Sequence, residues 1–155
     1  EGVYTHKLIE LDTAGDLDEA SVEEWARPVL SAWREFREAS GFRPILSEYR
    51  SHHKTLRVAG TLDSLCELPL LKGWHRTSLI DVKRSLLGGP VIGLQLAGYE
   101  TILESDPSMP KVSRRGALRI GKDGKFRLEP FDNRADRATF LALLTINRWR
   151  EQHAL

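Results

Sequence analysis

Three side chains have the types and spacing to do chemistry together: Asp63, Asp81 and Lys83. Asp63 closes the strand-like run 60–63 (GTLD), and Asp81 and Lys83 lie in a second such run, 78–85 (SLIDVKRS). Strand side chains alternate, so Asp81 and Lys83 share a face while Val82 points away toward the interior. If the two runs pair, both carboxylates and the ammonium converge on one point. Such a group can hold a divalent metal through oxygen ligands, as suits Mg²⁺, and can handle phosphate. The lysine can orient or help deprotonate an attacking water, or offset charge on the phosphate. Charges at the end of an apolar strand are costly to desolvate unless paired or bound to an ion. On its own the Asp-Val-Lys triplet reads more simply as an exposed strand end with a surface ion pair; Asp63 shifts that balance.

Four further positions bear on this group. Gly60 stands three residues before Asp63, and glycine inside a strand marks either a simple irregularity or the close approach of another group. Gln95 and Tyr99 (QLAGY) are four apart and share a helical face, within reach of a phosphate, a base or the lysine, or as ordinary neighbours. His6 ends a Gly2-Val-Tyr-Thr-His6 segment. A lone helical histidine is more often structural, yet an imidazole can complete a metal site and suits Mn²⁺ better than Mg²⁺. Glu48, in the first strand-like run, either faces the same point or lies on the surface.

In order, these pieces resemble the PD-(D/E)xK nuclease superfamily, and within it the RecB-like, lambda-type exonuclease branch. That pattern is a helical G-x-x-x-H, a glutamate on the first strand, G-x-x-D, then (D/E)-x-K, and Q-x-x-x-Y in a helix. This chain has Gly2 to His6, Glu48, Gly60 to Asp63, Asp81 to Lys83, and Gln95 to Tyr99. Each motif alone is weak, and five in this order are specific. The resemblance covers about residues 2–103 and is faint beyond them.

The resemblance implies a restriction-endonuclease-like core, with a mixed central β-sheet flanked by helices, and one nuclease domain over residues 1–155. It implies that His6, Asp63 and Asp81 bind Mg²⁺ or Mn²⁺, with the Val82 carbonyl as a further ligand, and that Glu48 supports metal or substrate. Lys83 would position or activate the hydrolytic water, and Gln95 and Tyr99 would contact DNA or organise the site. Two positions depart from the pattern: Val82 stands where an aromatic residue is common, and Arg84 where Thr or Ser is usual, with Ser85 next. Neither change removes a catalytic group, and Arg84 and Ser85 become candidate phosphate contacts. The expected activity is metal-dependent hydrolysis of DNA phosphodiesters, as an exonuclease on DNA ends in recombination, repair or phage DNA processing. A structure-specific endonuclease, or a non-catalytic DNA-binding or assembly module of the same fold, are the alternatives. The partners expected are DNA and either further copies of the chain or a larger recombination complex.

The elements that must position these residues are legible as changes of period. Residues 2–11 read as a helix, with Val3 or Tyr4, Leu8 and Leu11 on one face. Ser21 and Glu24 form a capping-box pattern before Val22, Trp25, Val29, Trp33 and Phe36, an amphipathic series closing near Gly41. Pro28 imposes a kink there or starts a fresh helix. Runs 45–51, 55–65 and 77–85 read as strands, with Lys72-Gly73 marking a turn. A helix follows over 90–105, then a loop over 106–110. A hairpin over 113–130 turns at Gly121–Gly124, and a last helix spans 133–153. Helices, strands, helix, hairpin and helix make an α/β domain with a mixed sheet.

Composition sets outer limits. The 155 residues are 41% hydrophobic and 29% charged, which suits one globular domain, and the net charge of +1 does not mark a nucleic-acid binder. The distribution is uneven. Residues 8–24 carry acids without Lys or Arg, whereas Lys111, Arg114, Arg115, Arg119, Lys122, Lys125 and Arg127 face the single acid Asp123. That asymmetry leaves either a basic surface or a solvated hairpin. One cysteine, Cys66 in an apolar run, excludes an internal disulfide framework and a cysteine-rich zinc site and reads as core. No apolar stretch is long enough for a bilayer and no signal peptide is visible, so no membrane partner is expected. The setting expected is a reducing cytoplasm, the host's if the chain is phage-encoded. The first motif begins at once after Glu1, which leaves room for residues upstream.

Overall fold

The computed structural model describes residues 2–84 and 89–154. Four helices, α1 (Gly2–Ala14), α2 (Arg27–Ser40), α3 (Val91–Glu104) and α4 (Asp136–Gln152), flank a five-stranded mixed sheet. The strands are β1 (Arg43–His53), β2 (Val58–Glu67), β3 (Ser78–Lys83), β4 (Arg114–Ile120) and β5 (Phe126–Pro130), and they lie in chain order. β1–β2, β2–β3 and β4–β5 pair antiparallel, whereas β3 and β4 are parallel and joined through α3. The β1–β2 turn, the end of β3 and the β4–β5 turn therefore lie at one end of the sheet. The α/β class and the mixed sheet agree with the sequence reading. Among the described residues no helix is long and apolar enough to cross a membrane.

Each sheet face has its own core. Cys66, Ile80, Val82, Leu118 and Ile120 pack with Leu8, Val29, Trp33 and Phe36 of α1 and α2. Leu62, Leu65, Leu79 and Ala117 pack with Ile92, Leu96 and Leu103 of α3, and α4 sets Phe140 over Gly98 of α3. Cys66 is fully buried, as expected, and burial pushes its thiol up to about 12.

Two helical expectations need correction. Ser21 and Glu24 cap no long helix: residues 19–21 and 24–26 form separate 3₁₀ turns, the first capped by Asp18 accepting from the Ala20 amide. A proline ring clashes with the carbonyl four residues back, so α-helix cannot extend a full turn upstream of Pro28, which sits in the first turn of α2 directly after the 3₁₀ turn at 24–26. At the other end Gly41 adopts φ 65°, which glycine tolerates without strain. In α1 the buried row is Thr5, Leu8, Ile9 and Asp12, while Val3 is 88% exposed. An acid stands in that row because Trp33, Arg34 and Arg37 of α2 all donate to the Asp12 carboxylate.

The basic run 111–127 is largely neutralised within the fold. Arg114 pairs with Asp132, Arg115 with Glu100 and Asp136, Arg119 and Arg127 with Glu129, and Lys125 with Asp123.

Candidate functional site

The site forms where β2 and β3 part. Their ladder runs from Cys66–Ser78 to Ser64–Ile80. Beyond that pair the Val82 amide, two residues past Ile80, donates 2.7 Å to Asp63 Oδ2, so a side chain takes the place of the strand backbone as acceptor. The Asp63 carboxylate thus stands in the fork between the two strands.

On the α1 side, His6 Nδ1 lies 3.4 Å from Asp63 Oδ2 and 3.5 Å from Glu48 Oε1. One donor atom from each of His6, Glu48 and Asp63 lies within 4.8 Å of the others. Glu48 reaches this point from the middle of β1 with φ 45°, in the left-handed region. Such a conformation costs a non-glycine residue on the order of 1 kcal/mol and persists where surrounding structure imposes it, as functional sites do.

On the α3 side, Asp81 is 1% exposed. Lys83 Nζ lies 2.7 Å from its Oδ2, the same-face contact that strand alternation requires. Gln95 Nε2 lies 3.4 Å from Asp81 Oδ1 and donates 2.9 Å to the Tyr99 hydroxyl. Tyr99 in turn lies against β2: a Cβ at residue 60 would come 2.7 Å from its Cε1. Gly60 is therefore glycine because an aromatic ring occupies the space.

Electrostatics divide the two sides. Burial raises the Asp63 pKa first, and the charge on Asp81 adds to it, against smaller opposing effects of His6 and the Val82 amide; the result is about 7. Burial also raises the Tyr99 phenol, against the hydrogen bond from Gln95. Asp63 is thus a carboxylate short of positive charge, whereas Asp81 has an ammonium against it.

The sequence candidates fall into place as follows. His6, Glu48 and Asp63 come together, and Asp81, Lys83, Gln95 and Tyr99 form a connected set beside them. Asp81, expected as a metal ligand, stands outside the 4.8 Å cluster, with its oxygens against Lys83 and Gln95. Glu48, weighed as a supporting residue, stands inside it. Val82 is tied to the site through its amide, and its side chain is buried in the α1–α2 core. The Arg84 guanidinium lies 5.6 Å from the centroid of the Trp25 ring. Ser85 lies outside the described residues.

An imidazole nitrogen and two carboxylate oxygens, one of them undercompensated, are donors that fit Mg²⁺ or Mn²⁺, with the imidazole favouring Mn²⁺. No family model and no curated protein matches the chain.

Proposed function

We propose that this chain is a metal-dependent DNA nuclease with a restriction-endonuclease-like core of the PD-(D/E)xK type, hydrolysing phosphodiester bonds at DNA ends. The observation that carries the reading is the meeting of the His6–Glu48–Asp63 cluster with the Asp81–Lys83 pair at the fork between β2 and β3. His6, Glu48 and Asp63 would hold Mg²⁺ or Mn²⁺, with Asp81 beside them. A divalent ion so held supplies Lewis-acid polarisation and neutralises charge at the phosphate.

The chain's own residues do the rest. Lys83 keeps an ammonium 2.7 Å from Asp81, where it orients a water and offsets phosphate charge. Gln95 sets the Tyr99 hydroxyl by donating to it and holds Asp81 from the opposite side, so one helix fixes the geometry of the acid and the phenol together. The phenol carries its proton at neutral pH, burial raising it further, and it can donate to a phosphate oxygen. Action on ends rests on the order of the histidine and Gln/Tyr motifs.

The test is cleavage of linear and covalently closed DNA with Mg²⁺ or Mn²⁺, comparing wild type with Asp81→Ala and Lys83→Ala. Metal-dependent shortening of linear DNA, lost in both variants, is expected. Degradation of closed circles would move the reading to an endonuclease. Wild-type activity no higher than that of the variants would leave a binding module of the same fold.

A further inference from the structure

The longest stretch of β1–β2 pairing lies beyond the site. From Tyr49–Leu62 to His53–Val58 the two strands form a ribbon that continues past the last β2–β3 pair. Between Glu48 and Asp63, the two carboxylates of the site, the chain carries Arg50, His52, His53, Lys54 and Arg57 and not one acid. The ribbon has two different faces. Tyr49 packs into the α3 core, and Tyr99 and Ile102 of α3 press on Gly60. Arg50 and His52, at alternate positions from the inward residues, are exposed, as are Lys54 and Arg57 at the turn.

These charges differ from those of the run 111–127. Among the described residues, the side chains of Arg50, Lys54 and Arg57 form no ion pair or hydrogen bond. The acids that share grooves with these bases have other partners: Asp106, beside Arg50 and Lys54, accepts from Ser108, and Glu151 of α4, beside Arg57, accepts from Asn147. Several like charges on a short ribbon repel one another unless something anionic lies along them. From Glu48 to Lys54 the ribbon advances about 20 Å at about 3.3 Å per residue, matching about six phosphates along one strand of duplex DNA.

We propose that the β1–β2 ribbon is a track for the DNA backbone leading away from the site, with Arg50, Lys54 and Arg57 each neutralising a phosphate. The inference rests on the nuclease reading only for what happens at the site; backbone binding by the ribbon stands or falls separately. Contacts to phosphate position the strand and carry no base sequence, so the ribbon binds without sequence preference and with an affinity that falls steeply as salt rises.

The experiment measures binding of DNA of about 20 nucleotides, single- and double-stranded, by fluorescence anisotropy in EDTA, over about 50 to 200 mM salt. Wild type is compared with Arg50→Ala/Lys54→Ala/Arg57→Ala and with Arg50→Glu alone, should the triple variant fail to fold. The proposal expects the triple variant to bind at least about tenfold more weakly at low salt, with the slope of log affinity against log salt reduced by about 2 to 3. It expects Arg50→Glu to weaken binding in the same direction. Unchanged affinity and slope in the folded triple variant or in Arg50→Glu, or no DNA binding by wild type, would overturn it. If binding behaves as expected but no metal restores cleavage, the nuclease reading fails and the track remains. If wild type cleaves and the variants bind and cleave long DNA equally well, the track alone fails.

Discussion

Asp63 and Asp81 carry the same group on neighbouring strands, yet their settings are opposite. Asp81 is the more deeply buried and has the Lys83 ammonium at 2.7 Å with Gln95 beside it. Asp63 is pushed up by burial and then by the charge of Asp81, with an imidazole and one amide in return, and its pKa rises to about 7. Burial does most to raise the Asp63 carboxylate, and the neighbouring negative charge of Asp81 adds to it. The α3 side of the site brings its own cation, whereas on the proposed reading the α1 side would receive one.

The largest effect that would test this contrast is Lys83→Ala. It leaves Asp81 buried without its partner, and we expect a loss of about 2–4 kcal/mol in urea denaturation, discounted because Lys83 is partly exposed. Cleavage should fall by at least about 100-fold. The double variant Asp81→Asn/Lys83→Met should regain stability but not cleavage; a single variant as stable as wild type would break the contrast.

Asp63→Asn should act in the opposite direction. The amide oxygen can still accept from Val82, but the uncompensated charge is gone. The metal-free protein should therefore gain on the order of 1–3 kcal/mol at pH 8, while the thermal shift produced by Mn²⁺ disappears. Destabilisation at pH 8 would contradict an undercompensated Asp63.

The pH dependence follows from the same carboxylate. Its folded pKa of about 7 lies above the ordinary 3.8, so between these values the folded state keeps a proton that the unfolded chain has lost. This contribution is complete below pH 4, is lost as pH rises to about 7, and is level above that. Protons compete with metal, so the Mn²⁺ thermal shift should grow from pH 5.5 to 8; a flat shift would sever the titration from metal binding.

The smallest effect belongs to the α3 side's support. Gly60→Ala pushes on the Tyr99 ring, and we expect about 1–2 kcal/mol of destabilisation, with cleavage reduced less than in Lys83→Ala. Full stability would mean that the ring moves freely and that Gln95 does not hold it.

Much of the fold was open to a reading of pattern because its signals are local. The alternation in 78–83, the turn at Gly121–Gly124 and the apolar series 29–36 each carry their period within a few residues. The partnership of Asp81 and Lys83 was legible for the same reason: two residues of one strand must share a face. What escaped depends on distant pairing. The row Thr5–Asp12 of α1 looks mixed until Arg34 and Arg37 are brought against Asp12. The bases of 111–127 look free until Glu129, Asp132 and Asp136 fold back on them. Glu48, on its own indistinguishable from a surface residue, meets His6 only through packing of α1 on the sheet. The acid-free run from Tyr49 to Leu62 was a signal in plain view, masked by a net charge averaged over the whole chain.

The strand order has a consequence for how the site is assembled in time. Three of the four strand pairings join neighbours by turns or short loops and can zip locally, whereas the parallel β3–β4 pair must wait for α3 to cross between them. Gln95 and Tyr99 ride on that crossing segment. The step that closes the sheet therefore also seats Gln95 on Asp81 and Tyr99 on Gly60, so we expect pulsed hydrogen exchange to show β1–β2 protected before β3–β4. The reverse order would refute that sequence of events. On that order the chain gathers its acids early, and the site is completed with the last contact of folding.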